Sequence, residues 1–219
     1  MSNLTIAMPK GRLFDKSVDI VSNMDLISNP ADFDILSRKL IYKDEEKNNN
    51  FLLAKPKDVP AYIEHGAADI GITGKDVIME HNKNLYELLD LGFGACRLVV
   101  AVPEKSGIED VNNIPEHSRI ATSYPGITRK FFEKLGIQVD IIYLSGSVEL
   151  GPQVGLSDLI VDISSTGTTL RKNNLVPIAE IMESSARLVV NNVSYKAKHD
   201  EIKKLLAWGK KNEDLELSI

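Results

Sequence analysis

Short apolar runs bounded by glycine and polar residues recur along the chain, at Leu4–Ala7, Phe51–Ala54, Asp69–Thr73, Leu98–Val102, Arg119–Thr122, Val139–Tyr143, Leu159–Ile163, Val176–Ile181 and Leu188–Val190. Each has the length of a buried strand. Helical spacing occupies the intervals Arg12–Met24, Asp58–Glu64, Lys75–His81, Gly126–Leu135, Val148–Val154 and His199–Lys210, several of them opening beside Pro, Asp or Ser. In the last interval Ile202, Leu205 and Leu206 form an i, i+3, i+4 stripe, and Trp208, Phe131 and Phe132 are expected in the core. Strands alternating with helices predict an α/β fold. No repeat at a fixed period and no low-complexity linker interrupts the pattern.

Two glycines in Leu91-Gly-Phe-Gly-Ala-Cys96 precede the most apolar strand, and a second break falls near Pro177–Glu183. These positions predict two lobes, residues 1–93 joined to 180–219 and an inserted 94–179. Two α/β lobes linked by a pair of crossing segments predict a ligand cleft between them, able to close. The polar stretch Lys43–Asn50 reads as an exposed loop, and Lys210–Ser218 as a solvated end.

With 219 residues, 43% hydrophobic and 26% charged, the chain is ordinary for a globular protein. A formal net charge of −5 argues against a surface that tracks a nucleic-acid backbone. A polyanionic ligand must therefore meet locally concentrated cations or a metal ion. Cys96 is the only cysteine, which excludes an intramolecular disulfide and a Cys-based zinc cluster. The N-terminus lacks a basic segment followed by a long apolar stretch, and Leu98–Val102 is too short to cross a bilayer. The expectation is a cytoplasmic protein without nucleic-acid or membrane partners.

The segment Glu149–Leu170 carries the most chemistry. Its apolar strand, Leu159–Ile163, runs into a turn of small hydroxyl residues and one glycine, Ser164 to Thr169. If a helix opens at Thr168, free N–H groups and the helix dipole favour a phosphate there, with Asp158 and Asp162 accepting from sugar hydroxyls. An N-capped turn without a ligand is the alternative. Near the N-terminus, Lys10-Gly11-Arg12 follows a strand that breaks at Pro9, which places two cations at a strand's carboxyl end and suits a pyrophosphate. A solvated surface turn competes with that reading. In Gly66–Asp76, the residues Gly71, Thr73 and Gly74 are expected to let a ligand approach the main chain. This run is not a Walker A loop, and Gly92-Phe-Gly-Ala-Cys-Arg97 does not complete a dinucleotide fingerprint. Arg38-Lys39 either flanks a surface hairpin or brings a further arginine to the cleft, and Glu149 either caps a helix or points at the ligand. The four histidines show no paired spacing and read as solvated.

Together, Met8-Pro-Lys-Gly-Arg-Leu13, Ser37–Ile41, the run from Asp58 to Val77, Leu89–Gly94, Leu144–Glu149 and Asp162–Leu170 resemble the ATP phosphoribosyltransferase family over nearly the whole chain. The most specific part is Glu149, Gly155, Asp158, Asp162 and Thr166-Gly-Thr-Thr-Leu170. The resemblance implies two lobes like those of periplasmic binding proteins, with the active cleft between them. It implies transfer of the phosphoribosyl group of 5-phosphoribosyl 1-diphosphate to N1 of ATP, with Mg²⁺ carried by the substrate and pyrophosphate released, as the first step of histidine biosynthesis. Ser165, Thr166, Gly167, Thr168 and Thr169 are then expected on the 5-phosphate, Asp162 and Asp158 on the ribose, and Asp69, Thr73, Gly74, Ser147 and Glu149 on the nucleotide side. Lys10, Arg12 and Arg38 are expected to neutralise the departing pyrophosphate. The chain's length resembles the family's short form, which implies a homodimer alone and a hetero-oligomer with a histidyl-tRNA-synthetase-like regulatory subunit. A non-catalytic receptor of the periplasmic-binding type and a phosphoribosyltransferase with another acceptor base are the competing readings.

Overall fold

A computed structural model describes residues 3–33 and 39–212. Arg38 and the tail beyond 212 lie outside the described residues. The strands are β1 (Thr5–Pro9), β2 (Ile41–Asp44), β3 (Asn49–Ala54), β4 (Ile70–Gly74), β5 (Tyr86–Asp90), β6 (Cys96–Pro103), β7 (Ser118–Thr122), β8 (Val139–Tyr143), β9 (Leu159–Ser164), β10 (Leu175–Ser184) and β11 (Ala186–Val190). The helices are α1 (Phe14–Asn23), α2 (Val59–Glu64), α3 (Lys75–His81), α4 (Pro125–Leu135), α5 (Leu150–Gln153), α6 (Thr168–Lys172), α7 (Asn192–Ala197) and α8 (His199–Asn212). No helix among the described residues is long and apolar enough to cross a membrane.

The chain divides into two compact units, residues 1–78, 82–94 and 185–219 in the first and 79–81 with 95–184 in the second. The second unit runs to Ser184 rather than to 179, because β10 stays paired with β6 through Ser184 opposite Cys96. The first unit holds a sheet ordered β2-β3-β1-β4-β11-β5, and the second a sheet ordered β10-β6-β9-β7-β8.

Both sheets are wound the same way. In the first, β3, β1 and β4 run parallel and β11 lies antiparallel to β4. In the second, β8, β7 and β9 run parallel and β6 lies antiparallel to β9. The chain leaves β1 to one side for β3 and returns past it to β4, as it leaves β7 for β8 and returns to β9. Such a reversal opens a crevice at the carboxyl ends of the two strands concerned.

Helices cover both faces of each sheet. Phe14 and Val21 of α1 and Ile202 and Leu205 of α8 pack on one face of the first sheet, and Val59, Ile63 and Ile78 on the other. Ile127 and Phe132 of α4 cover one face of the second, with Val148 and Leu170 on the other. A Cβ on Gly71 would stand 2.6 Å from the Ala7 carbonyl oxygen and 2.7 Å from Ile63 Cδ1. This glycine therefore admits α2 to the sheet, not a ligand.

The polar stretch 43–50 is a hairpin rather than an exposed loop. Asn49 is buried, accepting from Leu4 N at 3.0 Å and donating to the Leu26 carbonyl at 2.8 Å. Burial pushes the Asp44 carboxyl up, but bonds from the Lys47, Ser28 and Glu46 amides and the Ser28 hydroxyl outweigh it, and its pKa is lowered. The pattern also misses β5 and α7; β5 is half polar because only Leu89 of its five residues is buried.

Candidate functional site

The second unit gathers the richest chemistry at the carboxyl ends of its parallel strands. β9 ends at Ser164 and continues into the hydroxyl turn, which places Ser165 to Thr169 beside the end of β7 at the switch point. Gly167 adopts φ +71°, a conformation that favours glycine. Its N–H donates to Ser164 Oγ at 3.1 Å, and Thr166 Oγ1 lies 2.8 Å from Thr168 Oγ1. Four hydroxyls, on Ser165, Thr166, Thr168 and Thr169, are thus exposed on one tight turn. Because α6 spans only five residues, its dipole adds little, and local donors must do the holding.

Asp162 sits on β9 two residues before Ser164, on the face shared with Ile160 and covered by Leu170 and Val148, and it is half-buried. Ser147 and Glu149 follow β8; Ser147 is exposed with φ +50°, and Glu149 is half-buried at the start of α5 with no capping hydrogen bond. The capping role weighed for Glu149 is therefore not the one it plays. The start of α4, after β7, is closed to an outside anion, since Glu80 Oε1 accepts from Gly126 N at 2.8 Å and Oε2 from Ile127 N at 2.9 Å.

In the first unit, Lys10 and Arg12 follow β1 at the corresponding switch point, with Lys10 N bonded to the Ala54 carbonyl at 2.8 Å. Neither side chain meets a carboxylate among the described residues. Arg38 lies outside the described residues.

Four expected site residues are spent on structure. Asp158 stands at the amino end of β9, opposite the hydroxyl turn, where its Oδ2 accepts from Arg119 N at 2.8 Å and its Oδ1 from Arg119 Nη2 at 2.8 Å. The hydrogen bond from the Arg119 side chain, followed by that from its amide, lowers the Asp158 pKa. Asp69 repeats this device at the amino end of β4. Its Oδ2 accepts from Thr5 N at 2.8 Å and from Lys198 Nζ at 2.6 Å, and its Oδ1 from Ser194 Oγ at 2.7 Å. In each unit the aspartate amide returns a bond to the same neighbour, Asp69 N to Thr5 O and Asp158 N to Arg119 O, both 2.8 Å. Thr73 is fully buried in β4, and Gly74 is covered by Asp76, whose Oδ1 would lie 2.2 Å from a Cβ there. The Asp69 and Asp158 carboxylates are thus held by the fold's own donors, and Thr73 and Gly74 are buried.

The family model for ATP phosphoribosyltransferase matches residues 55–208. The chain belongs to the ATP phosphoribosyltransferase family. It is 61% identical over 206 residues to the ATP phosphoribosyltransferase of Halothermothrix orenii, covering 94% of this chain and 92% of that protein. The Thermoanaerobacter sp. strain X514 enzyme of the same name is 47% identical over 94% of each chain. Among solved structures, a chain of the ATP phosphoribosyl transferase (HisG:HisZ) complex from Thermotoga maritima aligns with a TM-score of 0.81 at 36% identity, covering 95% of this chain and 97% of that one. The substrate binding protein of an amino acid ABC transporter aligns with a TM-score of 0.60 at 13% identity, over 97% of this chain and 94% of its own, a likeness of fold alone.

Membership in the ATP phosphoribosyltransferase family sets the receptor reading aside and places a hydroxyl-rich turn in a protein that handles a phosphorylated sugar. The described histidines, all exposed, supply no buried base. No three His, Cys, Asp or Glu side chains converge among the described residues. One further cation borders the turn, Arg171, whose Nη2 lies 3.4 Å from Thr168 Oγ1. Reading the sequence passes over it because a basic residue in the last turn of a helix is an ordinary complement to the dipole.

Proposed function

We propose that the chain transfers the phosphoribosyl group of 5-phosphoribosyl 1-diphosphate to N1 of ATP and releases pyrophosphate, the first step of histidine biosynthesis. The observation that carries this reading is the run from β9 into Ser165–Thr169, which sets exposed hydroxyls and loop amides from three residues beyond a half-buried carboxylate, Asp162. The turn takes the 5-phosphate, and Asp162 takes the ribose hydroxyls. Ser147 and Glu149, after β8 on the far side of β7, serve the nucleotide side in this reading.

Adenine N1 carries a free lone pair at neutral pH, so the nucleophile needs no deprotonation and the chemistry calls for no paired base. The barrier lies in departure of pyrophosphate and in the cationic sugar that forms as its C1–O bond breaks. Alignment of the two substrates and neutralisation of the leaving group then supply the rate. Lys10, Arg12 and Arg38 are the protein cations assigned to that charge, and Mg²⁺ enters on the diphosphate as part of the substrate.

In this reading the chain is a short-form catalytic subunit of the cytoplasm, a homodimer by itself. It works with a histidyl-tRNA-synthetase-like subunit, and feedback by histidine resides in that partner or at its interface. The test is to incubate the purified chain, with and without that partner, with ATP, 5-phosphoribosyl 1-diphosphate and Mg²⁺, and to follow N1-phosphoribosyl-ATP by mass spectrometry. Product that requires both substrates is expected. No product in either mixture would contradict the assignment.

A further inference from the structure

We propose that Arg171 is a phosphate-binding residue of the hydroxyl turn, the side chain that supplies positive charge to the 5-phosphate of the sugar. The proposal rests on the function proposed above. The turn from Ser164 to Thr169 contains no cation of its own, although a phosphate monoester brings close to two negative charges. Hydroxyls and amides alone hold such an ion more weakly than they do with a guanidinium beside them.

Side chains on a helix lean toward its N-terminus, so a long residue one turn into α6 reaches back over the turn that precedes it. Arg171 does this. Its Nη2 lies 3.4 Å from Thr168 Oγ1, and its Nη1 stands 3.0 Å from where a Cβ on Gly167 would be. A side chain at position 167 would be strained at φ +71° and would push the guanidinium away, so the glycine opens the turn and also seats the arginine.

The charge of Arg171 is available. Arg97 pairs with Glu180, Arg119 with Asp158 and Arg187 with Asp90, at 3.2, 2.8 and 2.8 Å. Arg171 meets no carboxylate among the described residues; its recorded side-chain partner is a threonine hydroxyl. A guanidinium parked against the exposed hydroxyls of the turn gathers hydrogen-bond donors there with no carboxylate paired to it. That arrangement is favourable once an anion joins it.

Two phosphate sources are separable by inhibitors of the transfer reaction, ribose 5-phosphate for the sugar phosphate and inorganic pyrophosphate for the leaving group. Arg171→Gln is expected to weaken inhibition by ribose 5-phosphate about tenfold while changing the pyrophosphate constant less than about twofold, the loss of one exposed charge-assisted contact. Calorimetric titration with ribose 5-phosphate should show the same loss without reference to turnover. Arg171→Lys should recover part of the affinity, and Lys172→Gln, one residue on, should leave it unchanged. Wild-type affinity for ribose 5-phosphate in Arg171→Gln would overturn the proposal, as would equal weakening toward both inhibitors. If the wild-type chain transfers no phosphoribosyl group even with its partner, the underlying function fails instead.

Discussion

Replacing Asp69 by alanine separates a fold-holding carboxylate from a nucleotide-lining one. The side chain accepts three bonds, from the Thr5 amide, the Ser194 hydroxyl and the Lys198 ammonium, at 2.8, 2.7 and 2.6 Å. Charge-assisted bonds contribute about 1.5–3 kcal/mol each, but they share one acceptor group and do not add. Breaking a buried ion pair costs about 3–5 kcal/mol. Asp69 is 13% exposed and Lys198 24%, which places the loss near the lower end, at about 3 kcal/mol. With a urea slope of about 2 kcal/mol/M, the unfolding midpoint should fall by about 1.5 M. Asp69→Asn keeps an acceptor for Thr5 and should lose roughly half as much. Steady-state kinetics of the folded variants should show a KM for ATP within about twofold of wild type, since the carboxylate lies at the amino end of β4, away from the switch point. A tenfold rise in that KM with an unchanged midpoint would refute this reasoning.

Other substitutions probe the remaining placements. Asp158→Asn should cost about 1 kcal/mol, discounted because the pair with Arg119 is nearly half exposed, and should leave the KM for 5-phosphoribosyl 1-diphosphate unchanged. Because the folded Asp158 pKa lies below its ordinary 3.8, its contribution is complete above that value and is lost as pH falls through the folded one. The stability gap between wild type and Asp158→Asn, followed by urea titration at stepped pH, should therefore narrow only below pH 3.8. Gly71→Ala should destabilise by about 1–3 kcal/mol in the same assay, because its methyl would press on the Ala7 carbonyl and Ile63. Arg12→Ala should lower kcat/KM by an amount equivalent to about 2–4 kcal/mol, with the melting temperature held within a degree or so, as for an exposed side chain that stabilises departing charge.

The parts of this protein that the sequence reveals are those where side-chain pattern alone decides the outcome. Leu159 to Ile163 is apolar except for Asp162, and the hydroxyl turn follows it without a break, so β9 and its loop are legible together. The neighbour of an aspartate is not legible in the same way. Asp69 and Asp158 precede their strands in the sequence, but only the parallel pairing of β1 with β4 and of β7 with β9 brings Thr5 and Arg119 beside them. There each clamps the first residues of its neighbour. The shared pattern Gly66-Ala-Ala-Asp69 and Gly155-Leu-Ser-Asp158, with both glycines at positive φ, marks the repeated winding but is too short to show as a periodic repeat. Gly71 misleads because close approach of a helix and close approach of a ligand demand the same residue. Tyr86 to Asp90 goes unread because an edge strand buries too little to carry an apolar signal.

A crystal structure of the chain with 5-phosphoribosyl 1-diphosphate and Mg²⁺ tests the central claim most directly. The account predicts the 5-phosphate within hydrogen-bond distance of the Ser165–Thr169 turn, the Arg171 guanidinium against it and Asp162 on the ribose hydroxyls. A 5-phosphate seated instead on Lys10 and Arg12, with the hydroxyl turn unengaged, would contradict it.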